Sequence, residues 1–259
     1  MKRYKDVTYD FSGKVAIITG ASSGIFQGVA VAYGESGAKV ALTSNKNTAG
    51  CEETKRLIEE AGGVAKIYKC DVADVSQIEE TVAAVIEDFG KIDVLVNGAG
   101  VLVRSKSEEV KEEDWDFVMD IQCKGSFFFC KEVGAHMLKR GEGGKIINTS
   151  SMLAWSGGFT VASYAAAKGA VTQFTKSLCN EWAGQNINVN AVAPGYVVTR
   201  VTKPLFDDPT RGPQITSRIA CGRWATPEDM SGPFLFLGSE SADYIHGTIV
   251  PVDGGWLAR

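Results

Sequence analysis

Histidine is nearly missing: the 259 residues hold only His136 and His246. Two imidazoles argue against a histidine-built metal centre, and no metal site is expected. None of the six cysteines, Cys51, Cys70, Cys123, Cys130, Cys179 and Cys221, stands in a CxxC pair. A chain of this length has core enough without disulfide staples, so reduced thiols are expected. No window approaches the ~20 unbroken apolar residues of a membrane span. Basic residues are not in excess either. Lys and Arg number 27 against 31 Asp and Glu, a formal charge of −4. Neutralising phosphates needs clustered basic residues, so general nucleic-acid binding is not expected. The start, Met1-Lys2-Arg3-Tyr4-Lys5-Asp6, is basic, but no apolar segment of signal-peptide type follows it. A cytoplasmic protein is therefore expected.

What is present is a regular alternation. Short apolar runs at 14–19, 39–43, 65–69, 93–96, 145–149, 188–192 and 248–252 read as strands. Longer amphipathic stretches lie between them, among them helices over 24–35, 48–61 and 76–89. Strands alternating with helices of this length predict βαβ units. The fold class expected is α/β: one doubly wound parallel sheet with helices on both faces, a single domain over 1–259. The stretch 196–215, with Pro204, Asp207-Asp208-Pro209 and Gly212-Pro213, has no clear period. Such a segment inside a compact domain is often a lid, and a substrate lid over about 196–218 is expected.

Two motifs carry chemistry. Thr19-Gly20-Ala21-Ser22-Ser23-Gly24-Ile25 lies between the first strand and the first helix. A glycine-rich turn there lets backbone N–H groups approach a pyrophosphate, and the helix dipole favours the anion. The second motif is Ser151, Tyr164 and Lys168. Tyr164 and Lys168 share one helix face at i, i+4. A tyrosine of ordinary pKa near 10 is a weak proton catalyst at neutral pH, and an adjacent ammonium is expected to lower it. The serine hydroxyl can hold a carbonyl or alcohol oxygen while a cofactor moves a hydride.

Together with Asp71, Asn97-Gly98-Ala99-Gly100, Tyr164-Ala165-Ala166-Ala167-Lys168 and Pro194-Gly195, these motifs resemble the short-chain dehydrogenase/reductase family over essentially the whole chain. The ending Val252-Asp253-Gly254-Gly255-Trp256-Leu257-Ala258-Arg259 is similar to the branch acting on gluconates and keto-sugar acids. The resemblance implies a Rossmann-type NAD(P)(H)-dependent oxidoreductase, interconverting a secondary alcohol and a ketone on a sugar or sugar-acid substrate, and assembled as a homotetramer. It implies catalytic roles for Ser151, Tyr164, Lys168 and Gln122. Cofactor contacts are implied for Gly20, Ser22, Ser23, Gly24, Ile25, Ser44, Asn45, Lys46, Asp71, Val72, Asn97, Ala99, Gly100, Tyr164, Lys168, Pro194, Gly195, Val197 and Thr199. Arg104, Met152, Trp155 and Tyr196 are expected around the substrate, Arg104 as partner to a carboxylate.

Three positions depart from the family pattern. Phe26 stands where a third glycine is usual, and its ring is expected to crowd the cofactor cleft or push the helix aside. On that view Phe26→Gly would tighten cofactor binding. Gln122 replaces an asparagine that keeps a water beside the lysine, and is expected to act on the proton relay through Lys168. Gly98 replaces a second asparagine, a milder change. Strand two ends Ser44-Asn45-Lys46, without the carboxylate that repels a 2′-phosphate. NADP(H) is therefore preferred, with NAD(H) left open. Two alternatives stand beside the sugar-acid enzyme: a broad ketone reductase, and a non-catalytic member whose cofactor site is impaired by Phe26 and Gln122.

Overall fold

A computed structural model describes residues 8–259. Its seven strands are β1 Val15–Thr19, β2 Lys39–Ser44, β3 Val64–Lys69, β4 Val94–Asn97, β5 Gly144–Thr149, β6 Ile187–Pro194 and β7 Ile249–Val252. They form one wholly parallel sheet in the order β3-β2-β1-β4-β5-β6-β7. The helices are α1 Gly24–Glu35, α2 Thr48–Glu60, α3 Val75–Phe89, α4 Glu112–Met119, α5 Ser126–Arg140, α6 Leu153–Ser156, α7 Ala162–Trp182, α8 Lys203–Phe206, α9 Arg211–Arg218 and α10 Pro227–Gly238. Every expected strand is found to within two residues at each end, and α1 over the residues expected. No helix among the described residues is long and apolar enough to cross a membrane.

The unbroken apolar run of β1 follows from burial on both faces. Ala16 and Ile18 face one core with α1 and α10, where Val29, Tyr33 and Phe234 are fully buried. Val15 and Ile17 face the other, built from Ile78, Phe129, Val133 and Leu178 on α3, α5 and α7. Successive residues of a strand point to opposite faces, so one run serves two layers. Between β1 and β4 the chain changes direction across the sheet. At this switch point the loops following neighbouring strands diverge and leave a groove beyond their C-terminal ends.

Two expectations change here. The stretch 196–215 is not irregular throughout, for it holds α8 and the first part of α9. A helix of four residues is too short to show a period, and Pro204 sits in its first turn, where a missing N–H costs nothing. Phe26 neither displaces α1, which starts at Gly24, nor stands in the cleft. Its side chain is 8% exposed and packs edge-on to Phe234 of α10, with ring centroids 5.6 Å apart and planes at 77°. Burying such a ring contributes ~1.5–3 kcal/mol to folding, so the core holds it inward.

Candidate active site

The glycine turn sits at the switch point. Gly20 and Gly24 take φ of +69° and +63°, the left-handed region where side chains are strained. Ser23 occupies the N-cap of α1, yet its side chain makes no capping hydrogen bond. The N–H groups of Ser22 and Ser23 donate to no acceptor among the described residues, and the first N–H groups of α1 lack partners by construction. A row of unspent donors at a helix start fits a dinucleotide pyrophosphate. The turn is held from behind by α2, a support the sequence reading missed. Thr54 donates to the Ala21 carbonyl at 2.8 Å, and Asn47, which also caps α2, donates to the Ser22 carbonyl at 3.3 Å.

At the end of β2, Asn45 donates to the Asp71 carboxylate at 2.6 Å. Lys46 is exposed and within ion-pair distance of no carboxylate among the described residues. Ser44 is partly buried, with its hydroxyl against the Cys51 thiol. Ala99 and Gly100 lie in the loop after β4, where the Gly98 and Ala99 N–H groups donate to the Thr19 hydroxyl at 2.8 and 3.0 Å. Thr199 packs over Gly24, which brings the segment after β6 across the groove. Three expected cofactor residues turn elsewhere. The Asn97 amide is buried and donates to Asn148 at 2.9 Å and to the Ser126 carbonyl at 3.1 Å, because an amide in a dry core must be paired. Val197 is 3% exposed in the core beside α1, and Val72 is likewise buried, its apolar side chain better covered than offered to a polar ligand.

The proton-transfer residues come together. Ser151, Tyr164 and the loop after β6 line a cavity of about 750 Å³. The Ser151 oxygen accepts from Leu153 N–H at 3.1 Å, which leaves its own proton unspent, and the hydroxyl is near enough to the Tyr164 phenol to favour its ionised form. Lys168 is buried, 5.6 Å from the Tyr164 ring centre, and donates to the Thr149 carbonyl at 2.6 Å. The lowered tyrosine pKa expected from Lys168 is not found. Burial pushes the Tyr164 phenol up, with Ser151 pulling weakly the other way, and burial takes Lys168 down to about 7. Desolvation penalises whichever form is charged, and here it outweighs the pairing.

Gln122 lies in a π-helical turn, Asp120–Gly125, at the joint of α4 and α5. Such turns are frequent at functional sites. Its amide does not reach Lys168. The longer arm carries it to the Val101 carbonyl, at 2.7 Å, and its oxygen is buried without a partner. Gln122 thus braces the loop after β4.

Of the expected substrate residues, Arg104, Met152 and Tyr196 line the cavity. Trp155 does not: it is 50% exposed and outside the lining, on the far side of the single turn of α6. Two arginines the sequence reading missed also line it, Arg211 and Arg218. Arg218 lies 4.0 Å over the Trp256 ring, and Arg211 6.0 Å over Phe159. Seven residues apart on α9, they share one face, a signal readable once 211–218 is known to be helical. None of the three guanidiniums is within ion-pair distance of a carboxylate among the described residues, and all three act on the Tyr196 phenol from within the cavity.

Comparison with known proteins places this geometry. A family model described as "Enoyl-(Acyl carrier protein) reductase" matches residues 20–257. The 2-dehydro-3-deoxy-D-gluconate 5-dehydrogenase of Dickeya dadantii is 44% identical over 255 residues, 97% of this chain and 98% of that protein. The D-threitol dehydrogenase of Mycolicibacterium smegmatis is 36% identical, covering 98% of this chain and 97% of that one. The crystal structure of a gluconate 5-dehydrogenase from Burkholderia cenocepacia, in complex with NADP and tartrate, superposes with a TM-score of 0.92 at 32% identity, over 97% of this chain and 98% of that one.

The depressed Lys168 sets a pH dependence. The unfolded lysine titrates near 10.5 and the folded one at about 7, so between those values the unfolded chain holds more protons. Stability from this group therefore rises with pH through that window. Thermal unfolding without cofactor should show the wild type gaining Tm relative to Lys168→Met between pH 7 and pH 9.5. Parallel curves would mean that Lys168 is not desolvated as described.

Proposed function

Since the chain belongs to the short-chain dehydrogenase/reductase family, we propose that it is an NADP(H)-preferring oxidoreductase interconverting a secondary alcohol and a ketone on a polyhydroxy acid. The observation that carries this reading is one cavity lined by Ser151 and Tyr164 together with three arginines that meet no carboxylate among the described residues.

NADP(H), when bound, supplies or accepts the hydride. Reduction of a ketone also needs a proton on its oxygen. Tyr164, kept protonated by burial, is the donor, and Ser151 hydrogen-bonds the same oxygen. Lys168, fixed on the Thr149 carbonyl, stands beside Tyr164 to hold the cofactor ribose and relay the proton. The arginines set the substrate class. Arg104, Arg211 and Arg218 offer forked donors to a carboxylate, while Ser156, Thr202 and Gln214 in the same lining suit hydroxyls. The relatives named for gluconate derivatives, and tartrate in the Burkholderia structure, support an acid. Arg211 and Arg218 stand on α9, so the segment 196–218 acts as a substrate lid. The 2′-phosphate of NADP(H) falls to Ser44, Asn45 and Lys46, since β2 ends without a carboxylate of its own and the Asp71 carboxylate is taken up by the Asn45 amide. Six free cysteines fit a reducing compartment, the cytoplasm. Assembly of further copies on α4 and α5, where Trp115, Phe117 and Phe127 are partly exposed, fits a homotetramer.

Three measurements test this. Tyr164→Phe should lower turnover by ~10²-fold or more while NADPH binding stays within a few-fold; near-normal turnover would remove Tyr164 from proton transfer. Replacing Arg211 and Arg218 with Gln should raise KM for a keto-sugar acid by ~10-fold or more, as for loss of a charged hydrogen bond of ~1.5–3 kcal/mol, and leave a neutral keto sugar nearly unaffected. Equal effects on both substrates would favour the broad ketone reductase. Ser44→Asp should shift kcat/KM towards NADH, and a wild type already faster with NADH would refute the cofactor preference.

A further inference from the structure

Phe26 and Gly98 meet. A Cβ built on Gly98 would lie 2.2 Å from Cγ and 2.3 Å from Cδ1 of Phe26, and 2.6 Å from the Thr19 carbonyl oxygen. No side chain fits at 98 while the ring is in place. The loop carrying Gly98 is pressed against the glycine turn as well: a Cβ on Gly20 would lie 2.8 Å from the Ala99 Cα, and both Gly98 and Ala99 donate to Thr19. Phe26 is in turn fixed by Phe234 and by burial in the core. The two departures from the family pattern, a ring at 26 and a bare backbone at 98, are therefore one exchange of volume across the switch point.

We propose that Phe26 and Gly98 form one positioning device for the nicotinamide dinucleotide: the ring fills from α1 the space a residue-98 side chain would fill from the loop after β4, and so sets the seat of the Gly98–Gly100 wall against the Gly20 turn. Neither residue is catalytic, and the pair acts through the wall. This inference rests on the cofactor reading above. It also reverses the expectation that Phe26 weakens cofactor binding by obstruction. With the ring inside the core, Phe26→Gly removes support from the wall and should loosen NADPH binding and lower Tm.

A double-mutant cycle on the full-length protein tests it, read by NADPH fluorescence titration and by thermal unfolding. In the wild type, Gly98→Asn should raise the NADPH Kd at least ~5-fold, the low end for overpacking. In the Phe26→Gly background the same change should cost clearly less, what remains being the 2.6 Å approach to the Thr19 carbonyl oxygen, and the double variant should melt above Gly98→Asn alone. Where Gly98→Asn does not fold, Gly98→Ala makes the same comparison, since the clash is already at Cβ. In steady state, KM for NADPH should rise by more than kcat falls. Equal costs in both backgrounds would overturn the pairing and leave the Thr19 carbonyl as the obstacle, and a Gly98→Asn without effect would also overturn it. A fall in kcat with KM for NADPH unmoved would overturn the positioning role. A wild type that does not bind NADPH would defeat the proposed function instead, and the Tm cycle would then decide the pair by itself.

Discussion

The Thr19 hydroxyl joins the two loops on which the rest depends. It closes β1 and accepts from the Gly98 and Ala99 N–H groups just after β4. Backbone donors beyond the end of a central strand need an acceptor, and a side chain from the neighbouring strand provides one without filling the groove. That bond brings the Ala99 backbone within reach of Gly20, so the turn has to be glycine there. It also brings Gly98 under the Phe26 ring. The width of the groove is thus set by one hydrogen-bonded residue and by what the surrounding backbone can lack.

The active-site residues are tuned first by burial and second by each other. Tyr164 in the cavity wall and Lys168 buried behind it each lose hydration, so the neutral phenol and the neutral amine are both favoured. A neutral phenol at physiological pH is a proton donor, which suits ketone reduction. Alcohol oxidation asks the phenol to accept a proton, and that becomes easier where positive charge is added beside it. The arginines of the cavity already pull in this direction on Tyr196. The site is therefore biased by the burial of its own groups and is free to be rebalanced by charge brought in with its ligands.

Much of this was legible in the sequence because parallel strands are buried on both faces and show as plain apolar runs. The strand ends then carry the glycine turn and Ser151, and Tyr164 and Lys168 stand one turn apart on α7. What escaped was tertiary. The inward turn of the Phe26 ring depends on Phe234, more than two hundred residues along the chain. Asn97 reads as a ligand by position, yet Asn148 and the Ser126 carbonyl claim its amide. Gln122 differs from asparagine by one methylene, and whether that carries the amide to Val101 or to Lys168 is a matter of loop distance. The arginines of α9 were hidden because the helix is short and carries Gly212-Pro213 in its first turn, and only its folding reveals that two cations share a face.

Those cations explain how a cavity can be strongly charged at little cost to folding. Arg104, Arg211 and Arg218 are all exposed, so water pays most of their solvation and no buried carboxylate is needed to balance them. Arg211 and Arg218 also rest on aromatic faces, which holds a guanidinium by cation–π attraction while leaving its N–H groups unspent. A carboxylate bound on the protein's own chain would have stabilised them further but would compete with an acidic ligand. Leaving them unpaired keeps that interaction for the ligand. When a ligand displaces water from the cavity, the same charges interact through a lower dielectric and their attraction grows. Discrimination between an acid and a neutral polyol then grows as water leaves the cavity.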